Sequence, residues 1–332
     1  MKIMGIESSC DDTSIAIVDS EHNILANEVL SQNNIHKEFK GVVPELAARN
    51  HISYIDMIYK KVLKKSGITI DNIDLIAATA GPGLIGGLLV GLTFAKTLSQ
   101  VKKIPFVAVN HLEGHALTTR LTNDINFPFL LLLVSGGHTS FYLVKNVNDY
   151  KILGSTLDDA VGEAFDKVAK MIGIDFPGGP NLEKLAKGGN EDAFSFAKPM
   201  LNKPDLNLSF SGLKTSVMQI IKKEKVNNLI REDIAASFQK TIAEILCVKL
   251  DRAIKESEKC IEGLKNVVIA GGVASNVYLR SKLQSIVEKN NKDCYFPPIN
   301  LCTDNGAMIA WAGYERYIIG LENKLNFGAK PR

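Results

Sequence analysis

The sequence has few cysteines, no excess of either charge and no long apolar run, and each shortage excludes something. Its five cysteines, Cys10, Cys247, Cys260, Cys294 and Cys302, are odd in number, scattered and never in C-x-x-C spacing. That argues against a disulfide framework and for a reduced, cytoplasmic compartment. Basic residues number 39 and acidic residues 36, a net charge of +3. Such a balance allows a nucleic-acid partner without advertising one. The most apolar stretches, 129–134 and 84–92, are far shorter than a membrane span, so no membrane partner is expected. The opening MKIMGIESSCDD turns acidic by residue 11 and reads as neither signal nor transit peptide. No G-x-x-x-x-G-K-[ST] occurs, and neither a P-loop nor a Rossmann enzyme is indicated.

What is present is ordinary globular composition: 332 residues, 45% hydrophobic and 23% charged. The length suggests two domains or lobes. The order of elements repeats. Lys2–Ile6, a polar ESSCDDT turn and Ser14–Val18 form one hairpin; FLLLLV, SGGHT and SFYLV at 129–144 form another. Each half later has a strand running through a glycine turn into a helix: AGPG, with a helix from Ile85 to about Lys102, and AGGVASN, with a helix to about Lys289. Further helices are expected at 44–65, 111–121, 158–172, 231–258 and 304–319. The segment 173–212 is rich in Gly, Pro and Asn and reads as loops and short helices. The pattern predicts an α/β protein of two related lobes facing a central cleft. The basic tract 222–225 reads as a solvated helix end.

The sharpest local signal is NHLEGH. His111 and His115, spaced i and i+4, share one helix face one turn apart, which suits two ligands on one metal. The spacing is close to the H-E-x-x-H of zinc proteases, but Glu113 stands at i+2 rather than i+1 and points off the metal face. A third ligand is needed, and His138, His51, the Asp11–Asp12 pair and Asp304 all qualify. Asp304, in TDNGA before a helix, is equally suited to N-capping. Four small-residue turns, ESSCDDT, AGPGLIGG, SGG and AGGVASN, offer backbone amides to phosphate. Asp159, Glu163 and Asp166 lie at i, i+4 and i+7, a polar helix face or a carboxylate row able to hold ribose hydroxyls. PGGP at 177–180 is a turn that could lie flat against a base or ribose. Cys10 has no neighbouring base, so a cysteine nucleophile is not indicated.

Together these motifs are recognisable. GIESSCDDT, GVVPELAAR, AGPGLIGGLLVG, NHLEGH, LLVSGGHT, DDAVGEAFDK, FPGGP, FSFSGLK, AGGVASN and CTDNGAMIA run in order across nearly the whole chain. The set resembles the bacterial TsaD family, the catalytic subunit of tRNA threonylcarbamoyladenosine synthesis, formerly described as an O-sialoglycoprotein endopeptidase. The resemblance implies the duplicated actin/sugar-kinase/heat-shock-ATPase-like (RNase H-like) two-lobe fold. It places an N-terminal lobe at 1–125, completed by a C-terminal helix at about 306–332, and a C-terminal lobe at 126–305 with an insertion at about 176–230.

It implies transfer of a threonylcarbamoyl group from threonylcarbamoyl-AMP to the exocyclic amine of an adenosine beside a tRNA anticodon, with release of AMP. It implies one divalent metal, Fe2+ or Zn2+, on His111, His115 and Asp304. Leu133, Val134, Ser135, Gly136 and Gly137 would meet the substrate, and Asp166, Gly179, Glu183 and Asn276 would hold the AMP-type nucleotide. Asp11 is the candidate general base or amine-positioning group. Many relatives have Asp-Glu where this chain has Asp11-Asp12, which leaves the role of Asp12 less defined. The partners implied are tRNA, a small paralogous TsaB-like subunit and a TsaE-like ATPase. The competing readings are a metal-dependent endopeptidase, a non-catalytic ATP-binding module, and a sugar or acetate kinase.

Overall fold

The computed structural model describes residues 1–39, 41–224 and 227–332; Lys225, the end of the basic tract, lies outside the described residues. The chain divides into two compact units, Met1–Asp124 with Thr303–Arg332, and Ile125–Cys302.

The first unit holds β1 (Lys2–Glu7), β2 (Asp12–Asp19), β3 (Ile24–Ser31), α1 (Asn33–His36), α2 (Pro44–Ser66), β4 (Leu75–Gly81), α3 (Ile85–Lys102), β5 (Phe106–Asn110) and α4 (His111–Thr122). The second holds β6 (Phe129–Val134), β7 (Thr139–Asn146), β8 (Asp149–Ser155), α5 (Val161–Met171), α6 (Gly178–Ala186), α7 (Ser211–Lys223), α8 (Asn228–Cys260), β9 (Asn266–Ala270), α9 (Val277–Lys289) and β10 (Asp293–Tyr295). The last helix, α10 (Gly306–Ile318), returns to the first unit. It stops at Ile318, as the 304–319 pattern indicated and not at 332, because Gly320 follows with φ 83°, a left-handed residue that ends a helix.

The duplication is plain in the sheets. One runs β3-β2-β1-β4-β5 and the other β10-β9-β6-β7-β8. In each, three strands form an antiparallel meander, and two further strands add in parallel to the first of them. β1 and β6 are the matched central strands, buried along nearly their whole length, which is why both read as continuous apolar runs. The meander edges β3 and β8, the buried β5 and the short β10 escaped the sequence reading. ILANEVLS and DYKILGS alternate poorly and are half exposed, as edge strands are.

Helix α5 shows how patterning builds the core. Val161, Ala164, Phe165, Val168 and Ala169 recur at helical spacing and are all buried in the second unit. In the first unit α10 lies directly on β1. A Cβ at Gly5 would stand 2.1 Å from the Gly306 carbonyl oxygen, so only glycine permits this approach. Among the described residues no helix is long and apolar enough to cross a membrane.

Candidate metal centre and nucleotide half-site

Asn110 ends β5 and caps α4, accepting from the Leu112 and Glu113 amides. The cap starts the helix at His111, so His111 and His115 fall on consecutive turns, their ring centroids 4.8 Å apart. Asp304 joins them: its Oδ1 is 3.1 Å from His115 Nε2 and 3.6 Å from His111 Nε2. Asp304 is not the cap of α10. Asn305 takes that role, accepting from the Met308 amide at 3.0 Å.

Among the described residues, none of the other candidates for the third ligand joins the histidine pair in a cluster, and His51 is otherwise engaged. His51 uses both ring nitrogens, on Thr13 Oγ1 at 2.7 Å and the Cys10 carbonyl at 3.0 Å. Glu113 is buried and bound to Arg316 at 2.6 Å.

The three ligand atoms lie within 4.8 Å of one another. Two bonds of ~2.1 Å at a tetrahedral angle separate their ligand atoms by about 3.4 Å, so the donor set and spacing fit a divalent iron or zinc. The surroundings fit as well. His111 Nδ1 sits 3.1 Å from Glu7 Oε2 and 3.1 Å from Ser9 Oγ, which leaves Nε2 to face Asp304. Such a carboxylate brace on the far ring nitrogen is the usual support of a ligating histidine. Glu7 is itself held by the Thr79 hydroxyl at 2.6 Å and the Ser9 amide at 2.5 Å. Burial alone would push the His111 imidazole down. The carboxylates of Asp304 and Glu7 outweigh it and hold the pKa up at about 9. The pocket therefore favours a positive charge at this ring.

Asp11 and Asp12 follow on the same turn. Burial, and then the Asp304 carboxylate, raise Asp11 above the ordinary carboxylate value, while Cys10 pulls the other way. Burial, Asp304 and Asp11 push Asp12 up to about 7, and its buried Oδ1 has no hydrogen-bond partner among the described residues. Burial drives the Cys10 thiol far up, consistent with no nucleophilic role. The bracing role of Glu7 was missed in the sequence. The signal was there: a glutamate ending the apolar run KIMGIE is a charge entering a core.

The second unit carries the remaining predicted residues. Leu133 and Val134 are fully buried at the end of β6, so only their backbone is available to a ligand. Ser135 closes the turn, its Oγ accepting from the His138 amide at 3.1 Å. Gly136 and Gly137 face open space. The first amides of α5 are already taken, Val161 N by Thr139 Oγ1 and Gly162 N by the Ser135 carbonyl.

The carboxylate row expected at Asp159, Glu163 and Asp166 does not form. α5 begins at Val161, so Asp159 lies off the helix and pairs with Lys167 and Lys214. Asp166 Oδ1 instead accepts from the Gly178 and Gly179 amides at 2.8 and 3.2 Å, fixing the PGGP turn. Glu183 accepts from the Val277 amide at 2.8 Å. Asn276 caps α9 with its oxygen and donates to Gln239 with its nitrogen. Beside Glu183, a cavity of about 410 Å³ opens between Ala186, Gln239, Val277 and Tyr278. Asp166→Ala removes the shared acceptor of the Gly178 and Gly179 amides and is expected to destabilise this unit by about 1–3 kcal/mol, read as a lower urea midpoint.

The four small-residue turns are not equivalent. The spacing G-x-G-x-x-G does occur at 81–86, between a strand and a helix. Gly83 packs on Ser9 and Gly86 on Ala48, and the Gly83 and Leu84 amides are bonded to protein carbonyls. The close approach these glycines allow is used by the protein itself, so this turn is no open phosphate cradle.

Residues 23–311 match the profile of the TsaD family, described as tRNA N6-adenosine threonylcarbamoyltransferase. The chain belongs to this family. A relative from Rickettsia bellii, of the same description, is 55% identical over all of this chain and 98% of its own length. One from Rickettsia rickettsii is 54% identical, covering all of this chain and 97% of its own. Solved structures of similar shape include HypF from T. kodakarensis, with a TM-score of 0.63 at 14% identity over 96% of this chain and 48% of that one. Component A of (R)-2-hydroxyglutaryl-CoA dehydratase from Acidaminococcus fermentans gives 0.54 at 14% identity over 96% and 99%. At such identities these likenesses bear on the fold alone.

Proposed function

We propose that this chain moves a threonylcarbamoyl group from threonylcarbamoyl-AMP to the exocyclic amine of an adenosine beside a tRNA anticodon, releasing AMP. Full-length membership of a family described by that transfer supports the reading. The observation that carries it on this chain is the cluster of His111, His115 and Asp304, braced by buried Glu7 and followed at once by Asp11. The endopeptidase reading lacks a water-activating base, since Glu113 is tied to Arg316.

The acceptor is an aromatic amine with a delocalised lone pair, so it attacks slowly unless the leaving phosphate and the developing oxyanion are stabilised. A divalent iron or zinc held by His111, His115 and Asp304 would supply Lewis-acid stabilisation of that negative charge. Asp11 orients the amine and accepts its proton as the new N–C bond forms. Glu7 and Ser9 keep His111 in the tautomer that directs Nε2 toward Asp304. In the second unit, the open Gly136–Gly137 turn offers amides to phosphate, while Asp166, Gly179, Glu183 and Asn276 shape the nucleotide half-site. No covalent enzyme intermediate is required.

The test is release of AMP from threonylcarbamoyl-AMP, followed with and without tRNA lacking the modification. Release that rises with tRNA in stoichiometry with modified nucleoside supports the transferase. Release that ignores tRNA contradicts it.

We further propose a small paralogous subunit and an ATPase as partners, and a cytoplasmic site of action on tRNA. Ile52 and Met57 on α2 and Ile85 and Leu89 on α3 are large, exposed apolar side chains on two helices that pack together, Gly86 on Ala48. They suit the paralogous subunit. Ile85→Asp with Leu89→Asp is expected to weaken that association at least about tenfold, measured by titration calorimetry, with the fold intact.

A further inference from the structure

The structure assigns a role to the C-terminal segment 327–331: we propose that it is a positioning element of the metal centre, acting through the 81–84 turn and Ser9. The inference rests on the metal reading of His111, His115 and Asp304. The contacts form one continuous path within the first unit. Phe327 and Ala329 pack against its core, and the Phe327 carbonyl accepts from Lys96 Nζ.

The Lys330 amide then donates to the Ala80 carbonyl at 2.7 Å, and the Pro331 carbonyl accepts from the Gly83 amide at 3.2 Å. The segment lies so close that a Cβ at Gly81 would stand 1.7 Å from the Lys330 carbonyl oxygen. On its other side the same turn grips Ser9. The Leu84 amide donates to the Ser9 carbonyl at 2.7 Å, and a Cβ at Gly83 would stand 2.6 Å from that oxygen. Ser9 Oγ is in turn 3.1 Å from His111 Nδ1.

Glycine at 81 and 83 therefore lets the C-terminal segment, the turn and the Ser9 backbone stack in contact. Displacing the segment frees the Gly83 amide and loosens the turn that holds Ser9. His111 then keeps Glu7 but loses the hydroxyl that fixes its ring. The expected consequence is poorer presentation of Nε2 to a metal, since partners of ligating histidines commonly govern affinity by about 10–100-fold.

The experiment titrates Co2+ into the metal-stripped full-length chain, reading the d–d absorption and the Kd by chelator competition. Deletion of 327–332 is expected to weaken Co2+ binding about tenfold. Lys330→Pro, which removes the amide donated to Ala80 and restricts the backbone at 329–330, is expected to weaken it about threefold, while Lys330→Ala leaves it unchanged. Ser9→Ala weakens binding as the deletion does, and the double variant is no worse than either, because both act on one path. Wild-type Co2+ affinity in both tail variants, with only the melting temperature lowered, would overturn the inference. So would multiplicative effects in the Ser9→Ala double variant. Absence of Co2+ binding by the wild-type chain would overturn the metal reading itself, a result distinct from the other two.

Discussion

The His111→Asn/His115→Ala variant is expected to purify without metal and to form modified nucleoside on the order of a thousandfold more slowly than wild type. The choice of asparagine follows from the geometry. His111 is buried against Glu7, and burial alone would raise that carboxyl. His111 outweighs burial and holds Glu7 below the usual carboxylate range. Alanine at 111 would strand a buried carboxylate, and breaking such a pair costs about 3–5 kcal/mol. Loss of activity would then confound loss of fold with loss of ligand. Asparagine places an amide N–H near the position of Nδ1 and keeps the bond to Glu7, while removing the Nε2 that faces Asp304. Metal analysis by plasma mass spectrometry and a thermal melt separate the two effects. Near-zero metal with a melt close to that of stripped wild type is the expected pair of results. Full metal content in this variant would show that the histidines are not ligands.

The second large effect is expected at Asp11. Asp11→Asn should lower kcat by about 10²–10⁴-fold while metal content and AMP affinity stay at wild-type values. A general base works only when ionised, so the wild-type rate should fall as pH drops through the Asp11 pKa. That limb lies above the ordinary value of 3.8, because burial, the largest cause, raises the group. The Asp304 carboxylate raises it too, and a bound dication would cancel that part but leave the burial. In Asp11→Asn the acid limb should vanish. A variant whose kcat falls but whose pH profile keeps its acid limb would make Asp11 a positioning group for the amine, with the base elsewhere.

Much of the fold was legible in the residues. FLLLLV and KIMGI could hardly be anything but buried central strands, and the repeated hairpin and strand–glycine–helix order led directly to two sheets of matching topology. The edge strands were not legible, because β3 and β8 carry polar residues on both faces and are defined by pairing with neighbours rather than by burial. At the metal centre, the histidine pair was visible through helical spacing alone. The role of Asp304 as ligand was not separable from N-capping of α10, since only the backbone geometry shows that the next residue, Asn305, is the cap. Asp159 misled for a related reason. The helix periodicity was extended through Ala160, where the chain is in fact extended, so a residue assigned to a helix face pairs with Lys214 on a different helix. Ser9 was visible only as part of the ESSCDDT turn; its contact with His111 depends on the turn after β1 meeting the start of α4.

The most direct measurement is nucleoside mass spectrometry on tRNA lacking the modification. The tRNA is incubated with threonylcarbamoyl-AMP, the partner subunits with ATP, and either the wild-type chain or the His111→Asn/His115→Ala variant. Threonylcarbamoyladenosine formed by the wild-type chain and absent with the folded variant is the predicted result. Equal product from both chains, or none from a folded, metal-loaded wild type, would contradict it.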